Sequence, residues 1–240
     1  DRLLSRGLGD VYKRQLRTFQ NKVPQASQVS AYGLTEVGGV TSFGSPDDPL
    51  EHRLTTCGKP WPEVEIRILD PETNQVLSNE EKGLIEIRGP HVFSGYLNDK
   101  EATKNALSDD GWFSTGDVGS LTNDGYIRYH GRIKDMLKVG GENVAALEIE
   151  AYFDSHEKVL ISQVIGIEDD HLGEVPAVFI EKKPGVKISK DELVDFCIGQ
   201  ISNFKIPRYI VFVNEWPMSS TKVQKFKLKD LDLGDKVFGN

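Results

Sequence analysis

The sequence predicts a mixed α/β chain, with a β-rich first part and a compact α+β unit after it. Three observations carry this expectation. From Gln28 to Glu150 the chain reads as short stretches broken by turn residues, several of them alternating polar and apolar side chains. After Gly141 the pattern changes to capped, amphipathic segments interleaved with apolar runs. The 240 residues are 38% hydrophobic and 28% charged, enough apolar material for a core in one large domain or two modest ones.

Taken in order, Asp1 to Gln15 does not read like the rest. It has four basic residues and Gly7-Leu-Gly9, but neither the apolar stretch of a signal peptide nor the strand and third glycine of a dinucleotide loop, so an irregular leader is expected. Glu63-Val-Glu-Ile-Arg-Ile-Leu69 alternates as a half-buried strand, and Asp70-Pro71 with Thr73-Asn74 makes its turn. Gly83-Leu-Ile-Glu-Ile-Arg88 is a second strand, closed by Gly89-Pro90. Tyr126-Ile-Arg-Tyr-His130 is a third, preceded by the hairpin signal Asn123-Asp124-Gly125. Asn143 then reads as the N-cap of a helix to about His156, with Leu147, Ile149 and Phe153 on its apolar side. Ile161 to Ile167, Pro176 to Glu181 and Tyr209 to Val213 read as strands. Ser189, with Glu192 at the capping-box position, starts a helix that carries Leu193, Phe196, Cys197 and Ile201. The domain boundary is expected near Arg132 to Asp135.

Composition excludes several classes. The net charge of −8 argues against a general nucleic-acid binder or a polybasic membrane-surface protein. No apolar run approaches the roughly 18–20 residues of a membrane span. Cys57 and Cys197 are too few for a disulfide scaffold and lack metal-ligand spacing, so a reducing, cytoplasmic setting is the default.

Four polar, glycine-bearing stretches stand out: Tyr32-Gly-Leu-Thr-Glu36, Trp112 to Asp117, Gly131 to Asn143, and Ser219-Ser-Thr-Lys222 within Pro217 to Lys229. Singly, each has an ordinary reading as a strand end, a turn, a charged linker or a solvated lysine. Together they make one kind of site. Tyr32 with Gly33 offers a flat face for a purine and close backbone approach. Thr35 offers a hydroxyl to phosphate, and Glu36 a hard oxygen to Mg²⁺. Asp117 has two acceptor oxygens for ribose hydroxyls. Arg132 brings rigid donors, and Lys222 a mobile positive charge for a phosphoryl–carboxylate transition state. These are the parts of a site that activates a carboxylate with ATP.

With these motifs in this order, the chain resembles the C-terminal half of the adenylate-forming superfamily, which comprises acyl- and aryl-CoA synthetases, adenylation domains of peptide synthetases and beetle luciferases. Gly83 to Pro90 with Gly95-Tyr96, and Phe204-Lys-Ile-Pro207, match two further motifs of that family. The resemblance implies that residues 16–133 are the β-rich C-terminal part of a large AMP-binding domain. It implies that residues 134–232 are a small, mobile α+β lid and residues 233–240 a tail. It implies two half-reactions, with ATP, Mg²⁺ and CoA as the cofactors and a small-molecule carboxylic acid as the substrate. Tyr32 would stack on adenine beside Gly33, Thr35 would contact phosphate, Glu36 would help hold the metal, and Asp117 with Arg132 nearby would bind the ribose. Lys222 would bridge carboxylate and phosphate. Lys134 matches the hinge. Lys138, Gly140 and Gly141 match the pantetheine channel, although a plain hairpin turn also accounts for the glycine pair. Phe204, Lys205 and Arg208 are candidates for the CoA nucleotide. Val37-Gly38-Gly39 would border the acyl pocket and leave room for a bulky or long acid.

The sequence departs from the family pattern in three places. Thr221, not Gly, directly precedes Lys222, which leaves Lys225 as a competing register. Ala146 stands where many relatives have Pro, which only pre-organises a helix start. No Ser/Thr/Gly-rich phosphate loop lies between Asp1 and Ser30. The expectation is therefore a fragment of an acid–CoA ligase that does not adenylate alone. An enzyme loading a carrier protein, a luciferase-like oxygenase and a non-catalytic nucleotide-binding module are the rival readings.

Overall fold

Residues 10–219 and 222–239 are described by the structure, a computed structural model. They divide into two compact units, Tyr12–Lys134 and the chain from Asp135 onward, the latter grouped with Asp10 and Val11. Helix α1 (Asp10–Lys22) comes first. It begins inside the stretch expected to be irregular. No Gly or Pro interrupts Asp10 to Lys22, and its Lys, Arg, Gln and Leu residues favour helix. Gly7-Leu-Gly9 lies outside the described residues.

In the first unit, three short strands, β1 (Ala31–Tyr32), β2 (Ser42–Phe43) and β3 (Lys59–Pro60), pair antiparallel, with α2 (Leu50–Thr55) between the last two. An antiparallel meander follows: β4 (Glu65–Leu69), β5 (Gly83–Arg88), β6 (Phe113–Leu121) and β7 (Ile127–Arg132), with α3 (Lys100–Ala106) ahead of β6. β5 has the limits its alternation implies, with Ile85 and Ile87 fully buried. β4 starts later than expected because Glu63 sits at φ 67°, which breaks the extended run. β7 starts one residue late because the Tyr126 backbone closes the preceding turn: its N–H donates to Thr122 Oγ1 at 2.9 Å and its carbonyl accepts the Thr122 N–H at 2.8 Å. The Tyr126 ring stacks on His52, centroids 4.1 Å apart, and its hydroxyl donates to Asp48 Oδ1 at 2.8 Å.

In the second unit, β8 (Met136–Val139) and β9 (Glu142–Ala145) form a hairpin that leads straight into α4 (Ala146–Asp154). Asn143 is therefore a strand residue opposite Lys138 and not a helix cap; Ala145 holds the N-cap position without a side-chain bond. β10 (Val159–Asp169) and β11 (Gly173–Lys182) pair antiparallel over nearly their whole length. β8 joins β11 at Gly173, and β12 (Tyr209–Phe212) runs parallel to β11 further along the same strand. Between them, α5 (Lys190–Cys197) starts at Ser189, whose Oγ accepts the N–H of Glu192 at 3.1 Å, the cap the sequence implies.

This sheet is buried on both faces, which explains the unbroken apolar run in β11. Val178 and Ile180 pack against Ile149 and Phe153 of α4 and Leu193 and Cys197 of α5. Ala177 and Phe179 point the other way, onto Val213 and Leu228. Phe179 is fully buried at the centre of that second cluster. Replacing it with Ala is expected to cost about 3–5 kcal/mol of stability. Denaturant unfolding checks this, and a loss below about 1 kcal/mol would show that the second face is loosely packed.

Candidate active site

The first unit gathers Tyr32, Asp117 and Arg132 around one carboxylate. The β6–β7 register sets Asp117 opposite Arg132. Arg132 Nε donates to Asp117 Oδ1 at 2.9 Å, and Tyr32 Oη donates to Oδ2 at 2.7 Å. The Asp117 side chain is 5% exposed, whereas Arg132 is 43% exposed. Below it, Thr115 Oγ1 accepts the Asp117 N–H at 3.0 Å and donates to Ile85 O at 2.8 Å, so the carboxylate is fixed from backbone and side chains alike. Burial, and then the Asp117 charge, push the Tyr32 hydroxyl far above its ordinary range, so it stays a donor at any physiological pH. The Tyr32 ring is itself buried and tilts against Tyr129, centroids 5.9 Å apart. Its polar end is thus spent inside the protein.

Glu36 lies on the single helical turn Thr35–Val37. Tyr96 Oη donates to Glu36 Oε1 at 3.0 Å, and the Phe93 N–H donates to the Glu36 carbonyl at 2.8 Å. Burial and the Glu36 contact raise the Tyr96 phenol. Thr35 is exposed at the start of the turn. Gly33 is dictated by space, since a Cβ there would stand 2.0 Å from the Gly39 carbonyl oxygen. Gly38 and Gly39 sit at φ 69° and 104°, so the turn alone demands glycine at both, whatever they border. Val37 is fully buried within the unit. Among the described residues no cluster of three or more His, Cys, Asp or Glu forms a metal cage. Mg²⁺ is commonly held by one or two carboxylates with substrate phosphates and water, a role that the partly exposed Glu36 fits.

Lys134 lies in the helical turn Ile133–Asp135 and is the last residue of the first unit. In the second unit, Gly140 and Gly141, at φ 60° and 88°, make the two-residue turn of the β8–β9 hairpin, the turn reading left open above. A Cβ on Gly141 would meet nothing within 4 Å. Lys138 is exposed, and its N–H donates to Glu174 Oε2 at 2.8 Å. Two of the candidates for a CoA nucleotide are already occupied. Lys205 is ion-paired with Glu148, and the Arg208 guanidinium lies 5.1 Å from the Phe238 ring centroid.

Lys222 is exposed on a narrow loop. Its carbonyl accepts the Ser219 N–H at 2.8 Å, and Met218 and Val223 form an antiparallel bridge. Lys225 is placed quite differently. Its ammonium sits 2.6 Å from Glu150 Oε1, a carboxylate that is itself buried. Sequence reasoning missed Glu150 altogether, and gave no role in the site to Thr115, inside the Trp112–Asp117 motif, or to Tyr96. Tyr96 lies in a recognised motif, but its partner is 60 residues away and no spacing rule links them.

Both units match families of known proteins. Residues 4–97 match the AMP-binding enzyme family, and residues 148–223 match the AMP-binding enzyme C-terminal domain. The chain belongs to the adenylate-forming, AMP-binding superfamily. It is 42% identical over 201 residues to the putative acyl-CoA synthetase YngI of Bacillus subtilis, covering 83% of this chain and 37% of that protein. It is 39% identical over 216 residues to the human medium-chain acyl-CoA ligase ACSF2, named as mitochondrial, covering 90% of this chain and 35% of the relative. Among solved structures it resembles the o-succinylbenzoate CoA synthetase MenE of B. subtilis in complex with its acyl-adenylate intermediate. The TM-score there is 0.83 at 31% identity, covering 93% of this chain and 45% of that one. The chain thus spans little more than a third of the length of the curated relatives it matches. No helix among the described residues is long and apolar enough to cross a membrane.

Proposed function

We propose that this chain is the distal part of an ATP-dependent carboxylic acid–CoA ligase, and that it works together with the remainder of the large AMP-binding domain. The observation that carries this reading is the buried Asp117 carboxylate, gripped by Tyr32 and Arg132 and still able to accept further hydrogen bonds from a ribose. In the first half-reaction a substrate carboxylate oxygen attacks the α-phosphorus of ATP, and pyrophosphate leaves. In the second a thiol sulfur attacks the acyl carbonyl, and AMP leaves with the oxygen it received.

Each residue has a task in that sequence. Asp117 and Arg132 orient the sugar, with Tyr32 bracing the carboxylate and its ring edge bordering the base beside Gly33. Thr35 donates to phosphate. Glu36 would hold Mg²⁺, which neutralises phosphate charge when bound. Lys222 offsets the repulsion between two anions that must approach each other; it is exposed, whereas Lys225 is committed to Glu150. Lys134 serves as the hinge between half-reactions. The Gly140-Gly141 turn, with Lys138 beside it, leaves open space at Gly141 for a pantetheine arm, with the Leu172 side chain close to Gly140. CoA is favoured as the thiol because the relatives named above are CoA ligases or synthetases. Those relatives include a medium-chain and an aryl acid enzyme, so both acid classes belong in the test. With the full-length enzyme, ATP, CoA and a panel of such acids, mass spectrometry is expected to find acyl-CoA and AMP in equal amounts. ADP as the nucleotide product, or thioester on a carrier-protein thiol alone, would overturn the reading.

A further inference from the structure

We infer that Lys225 is a positioning residue for Lys222, acting through its ion pair with the buried Glu150; this rests on the reading of Lys222 as the adenylation lysine. The loop from Pro217 to Gln224 is closed at its neck by the Gln224 N–H, which donates to Pro217 O at 2.7 Å, and by the Met218–Val223 bridge. Nearer the tip, Ser219 Oγ donates to the Lys222 carbonyl at 3.1 Å and accepts its N–H at 3.3 Å. These bonds tie the described flanks of the loop, 217–219 and 222–224, to each other, and aiming Lys222 needs an anchor outside them.

Both ends of the loop are anchored to this unit's core. On the upstream side, Trp216 Nε1 donates to Glu181 Oε2 at 2.6 Å. On the downstream side, Lys225 Nζ reaches Glu150 Oε1 at 2.6 Å, and Leu228, one turn on, is fully buried. Glu150 is a firm anchor, because the same Oε1 accepts the Val164 N–H at 2.8 Å, tying α4 to β10. Its side chain is 8% exposed, so its charge must be paired to be tolerated there. Lys225 therefore docks the loop at a point where withdrawing is costly, three residues from Lys222.

The test compares half-reactions in the full-length enzyme. Lys225→Met is expected to lower acid-dependent ATP–pyrophosphate exchange about 10- to 100-fold, the scale of a misplaced catalytic group. Thiolation of preformed acyl-adenylate should stay within about twofold, since the proposal gives the loop no task there. Lys225→Arg should restore exchange, and Glu150→Gln/Lys225→Met, which removes the unpaired buried charge, should fold and keep the defect. In the 240-residue chain, Lys225→Met should speed hydrogen exchange at the Lys227 and Leu231 amides, at the anchored base of the loop, while β10 and β11 stay protected. Equal loss of both half-reactions, or normal exchange in the double variant, overturns the inference. If Lys222→Ala itself adenylates normally, the reading beneath it fails instead.

Discussion

Lys222→Ala in the full-length enzyme is expected to lose about 10²–10³-fold in the rate of adenylation, the usual cost of removing one well-placed electrostatic group. The loss should fall on kcat more than on the KM for ATP, because the proposed function has the lysine act where the carboxylate and the α-phosphate meet and not where the nucleoside is held. Thiolation of a supplied acyl-adenylate should change only a few-fold, since the phosphoryl–carboxylate repulsion is gone by then. Rapid-quench measurement of each half-reaction checks both statements. The structure sharpens the choice of residue. Two lysines compete for the role in the sequence, and one of them, Lys225, is paired with a buried glutamate. An adenylation rate unchanged in Lys222→Ala and abolished in Lys225→Ala would reverse that choice.

Asp117→Ala is expected to act twice. It leaves the buried Tyr32 hydroxyl without its acceptor, at a cost of about 1–3 kcal/mol in stability. Arg132 loses this acceptor too but is exposed enough to turn to water, so it adds little. Independently, the ribose loses charge-assisted hydrogen bonds worth about 1.5–3 kcal/mol each, which should raise the KM for ATP at least tenfold. Tyr32→Phe separates the two effects. It removes the hydroxyl and leaves the carboxylate with Arg132, so stability should move while the ribose contacts persist. Denaturant unfolding beside nucleotide titration reads both. Unchanged nucleotide affinity in Asp117→Ala would remove Asp117 from the site.

What the sequence discloses here is mostly local. Alternation gives β5 its true limits, and Ser189 with Glu192 gives α5 its start, because both signals lie within a few residues of the feature they specify. Asn143 shows where local reading fails. It is a good cap by residue type, but the Gly140-Gly141 turn folds it into β9 before the helix begins. The helix start at Asp10 was hidden by the unusual composition around it. The site residues are legible as motifs, yet their mutual arrangement is not. Tyr32 and Asp117 are 85 residues apart, and only the packing of β1 near the β6–β7 pair brings them into one hydrogen bond. Glu150 and Lys225 meet through the packing of α4 and β10 under the lysine loop. Such pairs have no sequence signature, which is why the braces around Asp117 and Lys222 emerge only from the fold.

The central claim is that the substrate carboxylate attacks the α-phosphorus of ATP. An acid labelled with ¹⁸O in both carboxylate oxygens, turned over by the full-length enzyme with ATP and CoA, tests it most directly. The account predicts one ¹⁸O in the phosphate of AMP and the other in the thioester carbonyl. Label in inorganic phosphate or in ADP, with none in AMP, would contradict it.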